Sequence, residues 1–183
     1  KLFELKGREG AKAIPLLVHS LRMLEGICPA LSEEARKLAR AFWPGPLTLI
    51  LKRAADVPYA VTGGQETVGL RVPAHPVALE LLRAYAQAGG GRHGMCGIAA
   101  PSANRFGRIS PTDAAHVREE LGAAVDLVLD GGDCEVGIES TIVDLTRDPP
   151  AILRPGRISA QQIADALLTP IGAADSASPR VPG

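Results

Sequence analysis

Short apolar runs alternate along the chain with longer amphipathic stretches. Residues 14–18 (Ile-Pro-Leu-Leu-Val) and 47–51 (Leu-Thr-Leu-Ile-Leu) are too short for helices and read as buried strands. Residues 67–72, 95–99 and 125–129 predict further strands, and residues 141–145 and 151–153 two late ones around the turn at Asp148-Pro149-Pro150. Helices are marked by caps as well as by period. Ser32 precedes Glu33, Glu34 and an Ala/Leu-rich stretch, which places acids at the positive end of a helix dipole. Ser110-Pro111-Thr112-Asp113 sets a capping Ser, a first-turn Pro and a third-position acid in order. Ser159 and Gln162 repeat the capping-box spacing before a last helix over residues 161–168, and residues 76–87 predict another, ended by Gly89-Gly90-Gly91. Alternating strands and helices predict an α/β domain. From Thr169 the composition turns to Pro, Ala and Ser, so residues 1–168 read as one domain and residues 169–183 as a linker tail.

Composition narrows the function classes. The 183 residues carry 20 Lys plus Arg against 20 Asp plus Glu, without the basic excess of a dedicated nucleic-acid binder, so any anion site is a local cluster. Cys28, Cys96 and Cys134 form no C-x-x-C pair; a sparse, odd count fits a reduced, cytoplasmic protein, with each Cys a small buried hydrophobe. His19, His75, His93 and His116 lack metal-ligand spacing, and no apolar run approaches the roughly 20 residues of a membrane helix. There is no signal peptide and no initiator Met; Lys1-Leu2-Phe3-Glu4-Leu5 reads as the last turn of a helix, which predicts that something has been removed upstream.

Four motifs carry candidate chemistry. Lys6-Gly7-Arg8 flanks a flexible Gly with two cations and suits phosphate, although a solvated helix end explains it equally simply. Pro101-Ser102-Ala103-Asn104 follows a predicted strand, where open α/β sheets bind ligands; an ordinary turn before a capped helix remains the alternative. Arg71, within Gly69-Leu70-Arg71-Val72-Pro73, is costly to bury unpaired and is expected to meet a carboxylate, either a ligand's or that of Glu139. Ser140-Thr141-Ile142-Val143-Asp144 and Leu153-Arg154-Pro155-Gly156 each set a polar residue at a strand end; a β-turn-β unit with a surface Arg is the bland reading. Trp43-Pro44-Gly45-Pro46 reads as structural. The chain has no Walker loop, no G-x-G-x-x-G and no G-x-S-x-G. Lys, Arg, Ser and Asn without a covalent nucleophile fit positioning and charge neutralisation on phosphate.

Taken in order, these motifs together with Trp43-Pro44-Gly45-Pro46-Leu47-Thr48 resemble the threonylcarbamoyl-AMP synthase (YrdC-like) family over roughly residues 1–168. The resemblance implies a single domain with a twisted mixed sheet, flanking helices and a concave basic cavity. It implies that L-threonine, bicarbonate and ATP give threonylcarbamoyl-AMP and pyrophosphate, for threonylcarbamoyladenosine formation beside the tRNA anticodon. Lys6, Arg8 and Arg154 would neutralise phosphate; Thr67, Ser102, Ala103, Asn104 and Ser110 would seat the nucleotide; His19, Arg71 and Ser140 would hold threonine. Lys6, Arg8, Ser102 and Asn104 are the catalytic candidates. Magnesium would arrive with ATP, with no dedicated protein ligand. The implied partners are RNA or tRNA and downstream threonylcarbamoyl transfer proteins, with no membrane.

The chain departs from the family pattern at Glu9, where a Pro is usual, at Ile14, where many members carry an Asn, and at Pro101, where some carry a Thr. The family's N-terminal Pro-Thr-Glu-Thr-Val-Tyr-Gly loop has no counterpart, which predicts that these 183 residues alone are inactive or nearly so. Two rivals stand beside this reading: the carbamoyl-AMP-forming YrdC-like domain of hydrogenase maturation, and a non-catalytic module binding double-stranded RNA or tRNA.

Overall fold

A computed structural model describes residue 4 and residues 13–91, 96–105, 107–134 and 139–181. The chain divides into two compact units, Lys12–Ala100 with Glu139–Gly183, and Lys1–Ala11 with Pro101–Ile138.

The first unit is built on a seven-stranded mixed sheet. Its strands are β1 (Leu16–Leu17), β2 (Leu47–Lys52), β3 (Thr67–Arg71), β4 (Ile98–Ala99), β5 (Thr141–Asp144), β6 (Ala151–Arg154) and β7 (Gly172–Ala173), in the order β4-β1-β3-β2-β5-β6-β7. β2 runs antiparallel to β3 and parallel to β5; β1 is parallel to β3, and β6 antiparallel to β5. The inner strands β2 and β5 are buried at every position except Lys52, which is why β2 reads as a near-continuous apolar run rather than as an alternating one. The helices of this unit are α1 (Glu33–Phe42), α2 (Tyr59–Thr62), α3 (Pro76–Gln87) and α5 (Ala160–Leu167). Ser32 caps α1 through Ala35 N, and Ser159 with Gln162 forms a complete capping box on α5, as the sequence predicts. α1 and α5 pack against each other, and Leu38 and Ile163 join Leu49, Leu70 and Val143 in one core.

The predicted run at residues 14–18 pairs as a strand only at Leu16–Leu17, because Pro15 has no N–H to give a ladder. Its flanks are still held, Ile14 N donating to Val61 O and Val18 N to Arg71 O. A residue that pattern alone does not flag, Arg53, has a side chain only 6% exposed. Its Nη1 donates to the carbonyls of Ala54, Ala55 and Val57, and its guanidinium lies 3.8 Å over the Tyr59 ring, fixing the turn between β2 and α2. Of the cysteines, Cys28 and Cys96 are buried as expected, and burial pushes the Cys28 thiol up to about 12, whereas Cys134 is exposed.

The segment after residue 168 adds β7 to the sheet, Gly172 and Ala173 pairing parallel to Ala151 and Ile152. Beyond it, Arg147 Nη2 meets Asp175 Oδ2 at 2.5 Å and Nη1 donates to Ser178 Oγ, while Gln65 and Arg180 exchange a reciprocal pair of bonds. Arg147 follows β5 and Gln65 precedes β3, so these residues strap the sheet end at which β3 begins. The Arg147 hydrogen bond holds the Asp175 carboxyl well below its ordinary 3.8. A depressed folded-state value means that the clasp contributes fully above that pH and loosens as pH falls below it. Asp175→Asn is therefore expected to speed hydrogen exchange of the tail amides at pH 7, and wild-type tail amides are expected to lose protection only in acid. Equal protection in the variant would show that β7 alone holds the tail.

The second unit carries α4 (Ala114–Leu121), which runs into a 3-10 turn at Gly122–Ala124. Two expectations are corrected here. The helix is capped by Asp113, whose Oδ1 accepts from His116 N at 2.7 Å, and not by Ser110, which lies a turn upstream. Residues 125–129 are not a strand: Asp126 interrupts the run, and Leu127 and Leu129 stay exposed.

Candidate functional site

In this mixed sheet, the C-terminal ends of β1, β3 and β6 and the N-terminal ends of β2 and β5 lie together. Polar side chains from distant parts of the chain converge at that end. Arg71 closes β3, Arg154 closes β6, Ser140 precedes β5, Thr48 is the second residue of β2, and His19 stands two residues past β1.

Arg154 is the organiser. Its Nε and Nη2 donate to Ser140 O at 3.1 and 2.9 Å, Nη2 also donates to Ser140 Oγ at 3.0 Å, and Nη1 forms an ion pair with Glu139. The backbone is shaped for this contact. A Cβ at Gly156 would lie 2.5 Å from both Glu139 O and Thr141 N, so the chain after β6 approaches the chain before β5 as only glycine allows. Thr141 Oγ1 fastens the same approach by donating to Ile158 O and accepting from Ile158 N, at 2.7 and 2.9 Å.

Arg71 is held differently. Its Nε donates to Gly45 O at 2.9 Å, while Gly45 N donates to Val72 O at 2.9 Å. Gly45 is again a position without room, since a Cβ would lie 2.2 Å from Phe42 O. The Trp43-Pro44-Gly45-Pro46 segment, with Trp43 Nε1 donating to Leu47 O, thus has a second task beyond ending α1: it presents a carbonyl to Arg71. Sequence left two partners open for Arg71. Among the described residues Glu139 pairs with Arg154, and Arg71 meets no carboxylate. Burial, and then the neighbouring Arg154 charge, lowers the Arg71 pKa; burial also lowers that of Arg154, against the opposing effect of Glu139. Two guanidiniums that repel each other in a partly desolvated place favour an anion beside them.

Thr67 is not brought to this end. It opens β3 opposite Lys52, about 13 Å along the strand from Arg71. Lys6 and Arg8 lie outside the described residues. Ser102, Ala103, Asn104 and Ser110 belong to the second unit, where the buried Asn104 donates through Nδ2 to Arg108 O. There Arg105 N and Arg108 Nη1 meet Glu120 at 3.0 and 3.1 Å, beside a cavity of about 620 Å³ lined by Arg105, Arg108, Ser110, Thr112 and His116 among others. The sequence reading missed two participants at the sheet end. Thr48 hides in an apolar strand, and the only signal was its hydroxyl at a strand's start. Gly45 acts through a backbone carbonyl, which a side-chain pattern does not show.

Fold and site together define a class, an α/β domain whose mixed sheet gathers cationic and hydroxyl groups from separate strands at one end. The Sua5/YciO/YrdC family model, described as telomere recombination, matches residues 1–156, and the chain belongs to that family. It is 43% identical over 165 residues to the threonylcarbamoyl-AMP synthase of Pyrococcus abyssi, covering 89% of this chain and 45% of that protein. With the Bacillus subtilis enzyme of the same name it shares 42% identity over 174 residues, covering 93% of this chain and 47% of the relative. It superposes with a TM-score of 0.86 and 37% identity on P. abyssi Sua5 complexed with L-threonine, covering 99% of this chain and 52% of that one. The chain thus spans about half the length of these relatives. No helix among the described residues is long and apolar enough to cross a membrane.

Proposed function

We propose that this chain supplies the ATP- and threonine-using part of an L-threonylcarbamoyladenylate synthase, a nucleotidyltransferase. The threonine amine combines with bicarbonate, losing water, to give a carbamate. A carbamate oxygen attacks the α-phosphorus of ATP, the bond to the β-phosphate breaks, and pyrophosphate leaves with the bonding pair. Arg71 forks onto the threonine carboxylate beside Ser140, with His19 near the amino acid. Arg154, Lys6 and Arg8 neutralise phosphate charge; Thr67, Ser102, Ala103, Asn104 and Ser110 seat the nucleotide, Ser102 and Asn104 beside the reacting groups. At the sheet end, Arg71, Ser140 and Arg154 would line the concave basic cavity that the resemblance implies. Magnesium belongs to the nucleotide substrate. The product would pass to threonylcarbamoyl transfer proteins acting on tRNA in the cytoplasm.

The observation that carries this reading is Arg71, a partly desolvated guanidinium beside Arg154 with no carboxylate of its own among the described residues. In a pyrophosphate-release assay with L-threonine, bicarbonate and ATP, carried out like all the turnover measurements on a version extended upstream of Lys1, Arg71→Ala is expected to raise the threonine KM about ten- to a hundredfold and to leave the ATP KM nearly unchanged. Equal losses for both substrates would remove Arg71 from the threonine subsite. Turnover with carbamoyl phosphate and not with threonine would favour the hydrogenase-maturation chemistry.

A further inference from the structure

Thr48 is the second residue of the apolar β2, only 2% exposed, yet carries a hydroxyl. Its Oγ1 lies 3.1 Å from Ser140 Oγ, and among the described residues that is the hydroxyl's one partner. Its rotamer is set by packing as well: the γ-methyl faces the backbone of Gly69, where an added Cβ would already touch it at 3.5 Å. The γ-methyl against Gly69 and the hydroxyl against Ser140 agree with a single rotamer of this β-branched side chain.

The donor and acceptor inventory then fixes where the protons go. A serine hydroxyl has one proton to give and two lone pairs to receive with. Ser140 Oγ already accepts from Arg154 Nη2. Were Ser140 to donate to Thr48, the Thr48 proton would be buried without an acceptor among the described residues, which costs more than any gain from the reversed bond. Thr48 therefore donates to Ser140. Both Ser140 lone pairs are then engaged, one by a guanidinium, and its single proton is left to point at a ligand oxygen. Receiving two hydrogen bonds also makes that O–H a stronger donor.

We infer that Thr48 is a positioning residue: by donating to Ser140 Oγ it commits the Ser140 hydroxyl as a donor to an anionic oxygen of the amino-acid substrate. Its proton direction is independent of the proposed function, while its effect on substrate rests on that reading. Thr48→Val keeps the shape and removes the proton, so Ser140 is free to turn its own proton elsewhere; Thr48→Ser keeps the proton and loses only the methyl. By calorimetry, Thr48→Val is expected to weaken L-threonine binding about three- to tenfold, and Thr48→Ser to restore most of it. In turnover the threonine KM rises in Thr48→Val while the ATP KM holds, a split that a general loosening of the sheet would not give. Wild-type affinity in Thr48→Val, or equal loss in Thr48→Ser, overturns the role. If the wild-type protein binds no L-threonine, the proposed function fails, and Thr48 is decided by NMR on the unliganded protein. A slowly exchanging Thr48 hydroxyl proton with an NOE to the Ser140 β-protons supports the assignment; a slowly exchanging Ser140 hydroxyl in its place overturns it.

Discussion

Arg154→Ala is expected to lower ATP-dependent pyrophosphate release about ten- to a hundredfold at fixed substrate concentrations while leaving the protein folded. The side chain spans two tasks. It fixes Ser140 through both its carbonyl and its hydroxyl, and it places positive charge at the sheet end beside Arg71. Alanine removes both. Stability suffers less, because Glu139, its ion-pair partner, keeps a side chain 45% exposed and stays solvated when the pair is broken. Arg154→Lys separates the two tasks: it retains the charge but cannot reach the Ser140 carbonyl, the Ser140 hydroxyl and Glu139 with one planar fork. The lysine variant is expected to recover part of the ATP KM and little of the threonine KM. Steady-state kinetics with each substrate varied in turn, alongside thermal unfolding, tests this. ATP turnover within twofold of wild type in Arg154→Ala would reduce Arg154 to a backbone pin for the Ser140 turn.

Much of this fold is legible in the sequence because its core strands are buried on both faces and its helices carry caps. The runs at 47–51 and 67–72 needed no partner to be seen as strands, and Ser159 with Gln162 announced α5 through a local mechanism. The readings that failed depended on longer-range competition. Ser110 has the composition of a cap, but Asp113 sits closer to the first helical residue and its carboxylate takes the His116 amide. Residues 125–129 have the composition of a strand but find no neighbour to pair with among the described residues. At the site the same division holds. Arg71, Ser140 and Arg154 were visible as polar residues at the ends of apolar runs. That Glu139 would choose Arg154 over Arg71 was not, because the choice depends on how closely Gly156 lets β6 approach the start of β5. The segment after residue 168 looked like a linker by composition, and a two-residue strand carries too little hydrophobic pattern to say otherwise.

Gly156→Ala is expected to damage the site more than the fold. The added Cβ would lie 2.5 Å from Glu139 O, 2.5 Å from Thr141 N and 2.6 Å from Ser140 C. All three are backbone atoms, so no side chain can turn aside to make room; either the turn after β6 or the start of β5 must shift. Thr141 resists that shift, since its hydroxyl is bonded in both directions to Ile158 and its own N–H donates to Pro46 O. Forced overpacking of this kind costs about 1–3 kcal/mol, which in a chain of this length lowers the unfolding midpoint by about 2–12 °C. Catalysis depends more steeply on position: a displacement of about 1 Å in a substrate-holding group can cost on the order of a hundredfold. The displaced atoms are those of Ser140 and, through its three hydrogen bonds to Ser140, Arg154. Turnover is therefore expected to fall by about two orders of magnitude in a protein that still unfolds cooperatively. Gly172→Ala is the matched control, because its nearest neighbour would be Pro150 O at 3.5 Å, ordinary contact, and both midpoint and turnover are expected to stay near wild type. Thermal unfolding and pyrophosphate release on the two variants decide the matter. If Gly156→Ala lowers the midpoint and turnover by the same modest factor as Gly172→Ala, the close approach at Gly156 is not what holds Ser140 and Arg154 in register.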